Sequence, residues 1–127
     1  MKSNVPNMQN GVVKAGEFSY TRKSRTLKAY GEEFTIPVKT VEFGDKLDEI
    51  GAELAGAKNT SEVIRVTKKG IALFIGEEAT EKLYPEEKFM ELDVDEVIEF
   101  WSALNFELNR AQNERLARYA AAKAIRR

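Results

Sequence analysis

From Val94 to Arg127 the chain contains neither glycine nor proline. Within that run Val94, Val97, Ile98, Trp101, Leu104, Leu108, Ala111, Leu116 and Tyr119 keep an approximate helical period. Asp93 and Glu96 have the spacing of a capping box with an acid in the Ser/Thr place, and Leu92 and Val97 are placed to form a hydrophobic staple around it. The pattern predicts one helix over about 94–125, and at 1.5 Å per residue it spans roughly 50 Å. The whole chain has 127 residues, one domain's worth, whose radius of gyration is about 14 Å. A helix that long outruns such a core. Its end, Arg110 to Arg127, is therefore expected to project or to pack on another chain, and its cations suit the helix dipole.

Charge is segregated along the chain. The net value is −1. Residues 1–28 carry six Lys/Arg against one acid, residues 29–109 eight against nineteen, and residues 110–127 six against one. Basic ends around an acidic middle allow association with copies of the same chain or with an acidic partner. Solvated faces are the plainer reading of the same runs.

The segment before the first clear element, residues 1–24, is polar, basic and without apolar period. It is expected to be a flexible arm, since it cannot bury enough surface to offset its ordering entropy. From residue 25 onward a single, mostly helical domain is expected. Thr26 to Val38 reads as a β-hairpin: Phe34, Ile36 and Val38 alternate with Glu33, Thr35 and Pro37, and Gly31 supplies the positive φ of a tight turn. Pro37 cannot donate to a ladder, so the second strand is an edge or stops there. Phe43, Leu47, Ile50, Leu54 and Ala57 mark a helix, weakened by Gly44 and Gly51. Asn59-Thr60-Ser61 breaks the pattern and offers an N-cap for a second helix from about Glu62 to Ile75, whose β-branched start also suits a strand. Gly76 is a plausible stop, and Glu77 to Tyr84 a short helical turn before Pro85. The fold class is thus α+β, mainly α: a short N-terminal hairpin on a small helical domain with a long C-terminal helix. The expected core sets Phe43, Leu47, Ile50 and Leu54 against Val97, Ile98, Trp101 and Leu104.

Composition narrows the chemistry. The chain has no cysteine and no histidine. That excludes disulfides, thiolate metal sites and cysteine nucleophiles, and removes the usual general acid/base and the commonest metal ligand. No run of about 18 apolar residues is present, so no membrane span is expected. Met1 to Pro6 lacks the apolar core of a signal peptide, which leads to the expectation of a cytoplasmic protein. The acid pairs Glu77/Glu78, Glu86/Glu87 and Asp93/Asp95 sit at turns or helix starts, where the dipole and capping already favour acids. Asp93 to Glu96 lacks the ligand series of a calcium loop, and Gly70 to Gly76 lacks the Lys-Ser/Thr of a phosphate loop. Phe18 and Tyr20 beside Arg22, Lys23 and Arg25 have the makings of a single-strand nucleic-acid contact. The acidic middle and a pI near 5.7 argue against it. No catalytic residue, metal site or cofactor is expected.

The order of elements, and the motifs Tyr30-Gly31-Glu32-Glu33-Phe34-Thr35-Ile36-Pro37, Phe74-Ile75-Gly76-Glu77-Glu78 and Leu83-Tyr84-Pro85, followed by an Asp-Val-Asp helix start and a basic-ended helix, resemble the small tail assembly chaperones of long-tailed bacteriophages and Gram-positive prophages. The resemblance covers roughly residues 26–119. It implies a non-enzymatic helical protein that binds the tape measure protein and the tail tube subunit during assembly and is absent from the finished particle. The basic arm at 1–24 is not part of that pattern. It suits the alternative, a permanent structural or interaction subunit that locks neighbours with an extended arm. Candidate partner-binding residues are Trp101, Leu104, Leu108, Leu116 and Tyr119 on the long helix, and Phe34 and Ile36 on the hairpin edge, with copies of the chain itself as a further partner and a homo-oligomer as one outcome.

Overall fold

The computed structural model describes Gly16 and residues 25–126, without the side chains at 111, 112, 115, 119 and 122–126. The expected arm at 1–24 lies outside the described residues apart from Gly16. Two strands, β1 (Thr26–Ala29) and β2 (Glu32–Thr35), form an antiparallel hairpin in the register Leu27↔Phe34 and Ala29↔Glu32. Both turn residues have positive φ, Tyr30 at 55° and Gly31 at 73°, which matches the twist a two-residue hairpin requires. β2 ends just before Ile36, whose N–H donates to the Arg25 carbonyl at 2.9 Å; Pro37 then closes the ladder.

Helix α1 (Val41–Gly56) is capped by Thr40, whose hydroxyl accepts from the Phe43 N–H at 3.0 Å. Helix α2 (Thr60–Ile75) is capped by Asn59, accepting from Glu62 N–H at 2.9 Å. The β-branched start is therefore helical: a cap and a tertiary seat outweigh the small propensity penalty of Val and Ile. Gly76, at φ 94°, ends α2 and opens α3 (Glu77–Leu83). A 3₁₀ segment (Glu86–Glu91) carries Phe89 into the core before α4 (Val94–Arg126) begins. Asp93 Oδ1 accepts from Glu96 N–H at 3.2 Å, half of the expected capping box.

The core differs from the expected pairing of α1 with the long helix. Its buried members are Phe34, Ile36, Ile64, Ile71, Phe74, Tyr84, Phe89, Val97, Phe100 and Leu104. Helix α2 stands at the centre and packs on α1, α3 and α4. The reason lies in its composition. It buries Ile64, Thr67, Gly70, Ile71 and Phe74 and half-buries Val63, Val66, Leu73 and Ile75, so most of its circumference is apolar or small. α1 has one narrow stripe between charged residues and sits at the periphery, with Ile50 buried and Phe43, Leu47 and Leu54 half-covered. Tyr30, Phe34 and Phe100 meet edge to face, with centroids 5.3 and 5.7 Å apart, and this seats the hairpin on α4.

Candidate interaction surface

Helix α4 has two distinct faces. Val97, Phe100 and Leu104 form its buried face, flanked by half-buried Ile98, Trp101 and Leu108. Trp101 stands edge-on to Phe74 at 5.9 Å and covers Gly70 of α2 so closely that a Cβ there would overlap its ring. Among the described side chains of α4, Leu108 is the last that packs on the core. Arg25, just before β1, reaches over to α4 and pairs with Glu114 at 3.1 Å. Glu114 is held below the ordinary carboxylate range: desolvation, the largest single influence, pushes it up, but the Arg25 and Arg110 guanidiniums together outweigh that. Arg110 in turn bonds Glu107 and Glu114 at 3.3 Å, chiefly Glu107, which raises its pKa further.

The other face of α4 borders a groove of about 660 Å³. Leu47, Gly51 and Leu54 of α1 form one wall, and Trp101, Phe106 and Asn109 of α4 the other. Phe106 is 63% exposed and Leu116, further along, 57%. Asn105 and Asn109 each donate their amide to the carbonyl four residues back, at 2.9 and 3.0 Å. Phe106 thus stands exposed beside an amide-lined groove.

A second concavity, about 830 Å³, lies between α1, α2 and α3. Six of its charged side chains pair with one another. Lys69 meets Glu53 at 2.8 Å, Arg65 meets Glu86 at 3.0 Å, and Lys68 lies 3.6 Å from Glu86 and 3.9 Å from Glu81. The Arg65 hydrogen bond is the main cause of the lowered Glu86 pKa. Arg65 also stacks over Phe89, 3.9 Å from the ring centroid. These groups tie the three helices together. Among the described residues no group of three or more His, Cys, Asp or Glu is placed to hold a metal, and no helix is long and apolar enough to cross a membrane.

The residues singled out from the sequence fall into three positions. Phe34, Ile36 and Leu104 are buried in the core, because the hairpin turns its apolar face onto α4 and α4 turns Leu104 onto α2; they hold the fold and are not presented at the surface. Trp101 and Leu108 are half-covered, and Trp101 still lines the groove. Leu116 is exposed, while the Tyr119 side chain lies outside the described residues. The sequence reading passed over Phe106, Asn109 and Asn113. Their signal was a second, weaker periodicity on the face opposite the dominant apolar stripe. Comparison with protein-family models, curated proteins and solved structures finds no match to this chain.

Proposed function

We propose that this chain is a non-enzymatic assembly chaperone of the long-tailed phage or prophage type, acting in the host cytoplasm on the tape measure protein and the tail tube subunit. It masks helical surface on these partners until polymerisation is due. The observation that supports this reading is helix α4, which carries Phe106 uncovered beside the α1–α4 groove and Leu116 uncovered further along, beyond its last described core contact. An apolar helical segment of a partner fits such a groove through spaced anchors, and the outer edge of the two-stranded hairpin offers a second contact by strand addition.

The test is to look for tape measure and tail tube genes beside the gene for this chain and to co-express the chain with their products. Co-purification and increased solubility of the tape measure protein are expected, together with absence of the chain from purified finished tails. Stoichiometric presence in finished tails would instead make it a structural subunit, and failure to bind either protein would remove the chaperone reading.

A further inference from the structure

The face of α4 opposite Leu104 carries a regular seam. Ser102, Phe106, Asn109, Asn113, Leu116 and Ala120 follow at spacings of four, three, four, three and four, the repeat of a coiled coil. Ser102, Phe106, Asn113, Leu116 and Ala120 are exposed. The seam is self-complementary in reverse: about a centre at position 111, 106 faces 116, 109 faces 113 and 102 faces 120.

We propose that α4 pairs antiparallel with α4 of a second copy about a two-fold axis near position 111, with the distal half of each helix lying in the α1–α4 groove of the other. Charge favours this occupant and this direction. Residues 94–110 carry Asp95, Glu96, Glu99 and Glu107 against Arg110, whereas residues 111–127 carry five Lys/Arg against Glu114. Antiparallel pairing sets the acidic half of one helix along the basic half of the other; parallel pairing would superpose like charges. The α1 wall adds to this, with five acids and one lysine between Val41 and Gly56. Gly51 keeps that wall low, since nothing stands within 4 Å of where its Cβ would be. Phe106 of each copy then covers Leu116 of the other, removing two exposed apolar side chains per chain from water. The central layer sets Asn109 against Asn113, a polar layer of the kind that fixes register in coiled coils. Asn109 already donates to Asn105, so its carbonyl oxygen is left to accept from the opposing amide.

The pairing does not rest on the chaperone reading and is tested on the full chain alone. Sedimentation equilibrium is expected to show a monomer–dimer equilibrium at micromolar concentrations. Phe106→Glu and Leu116→Glu, both at exposed positions, should leave the circular dichroism spectrum unchanged and weaken the dimer by about 30-fold or more. The absence of native cysteines makes the direction readable. A mixture of Asn109→Cys and Asn113→Cys chains should form a mixed disulfide on oxidation, while Asn113→Cys alone should stay monomeric on denaturing gels. A chain that remains monomeric at millimolar concentration overturns the proposal, whether or not a partner helix binds the groove. So does a dimer that survives Phe106→Glu, or one that cross-links through position 113 on both chains.

Discussion

Gly70 and Trp101 depend on each other. Glycine inside a helix costs about 1 kcal/mol relative to alanine, yet here it is the only residue that lets the Trp101 ring lie against the α2 backbone. Gly70→Leu is expected to destabilise by about 2 kcal/mol through overpacking. Because Trp101 is the single tryptophan, the same variant should shift its emission to the red as the ring is displaced into the groove. Denaturant unfolding read by fluorescence checks both; an unchanged midpoint would mean that the ring has room to yield. Tyr84 is a second such position. It is buried, with its hydroxyl 2.7 Å from that of Tyr30, and burial pushes its pKa well above the ordinary value of 10.0, with Tyr30 raised as well. A raised folded-state pKa favours the protonated form, so the stabilisation is complete below about pH 10 and is lost as pH rises beyond it. Tyr84→Phe should cost about 1 kcal/mol at neutral pH, where Tyr30 can turn to water. It should also blunt the loss of stability above pH 10, measured as denaturant midpoint against pH.

At the scale of elements the ends are set by single side chains. Asn59 alone caps α2, the helix on which the other three pack, so Asn59→Ala is expected to lower stability by about 1 kcal/mol. Asn59→Asp should preserve it; equal losses in both variants would show that the cap bond at Glu62 carries little. Such ends are readable in sequence because their chemistry is local: Gly31 in the turn, Pro37 after β2, Gly76 between α2 and α3, Asp93 before α4. The 3₁₀ segment was not readable for the opposite reason. Lys88 leaves helical φ/ψ within it, and what holds Phe89 inward is the core together with Arg65, which lies 24 positions earlier in the chain. No spacing within 86–91 carries that information. The choice between strand and helix at Val63 to Val66 was open from propensity alone and was decided by the Asn59 cap and by neighbours on three sides.

For the molecule as a whole, the mainly helical class and the reach of α4 could be read from periodicity, but the arrangement of the core could not. Phe43, Leu47, Ile50 and Leu54 made the clean stripe, so α1 looked central. Helix α2 is central because its covered face is wider: Ile64, Thr67, Gly70, Ile71 and Phe74 are buried and Val63, Val66, Leu73 and Ile75 flank them, while Glu62, Arg65 and Lys69 stay exposed, and a stripe in the sequence does not say which elements will cover it. The same bias hid the seam through Phe106 and Asn113, since the strongest stripe on α4 belongs to the core. Charge segregation, which needs no geometry, was legible at once and carries the last prediction. Of the described core contacts of α4, the last apolar one is Leu108, and Glu114 still reaches Arg25. Removing residues 115–127 should therefore leave a cooperatively folding chain. It deletes Leu116 and five of the Lys/Arg that lie opposite the acidic half of a second α4. A dimer is stabilised by mass action, so the melting temperature of the full chain should rise with protein concentration and fall with added salt, as ionic screening weakens the pairing of unlike halves. The truncated chain should melt at one temperature at every concentration and show little response to salt. If it fails to unfold cooperatively, the distal helix belongs to the core. If the full chain also melts independently of concentration, the charge gradient along α4 serves solvation and not self-association.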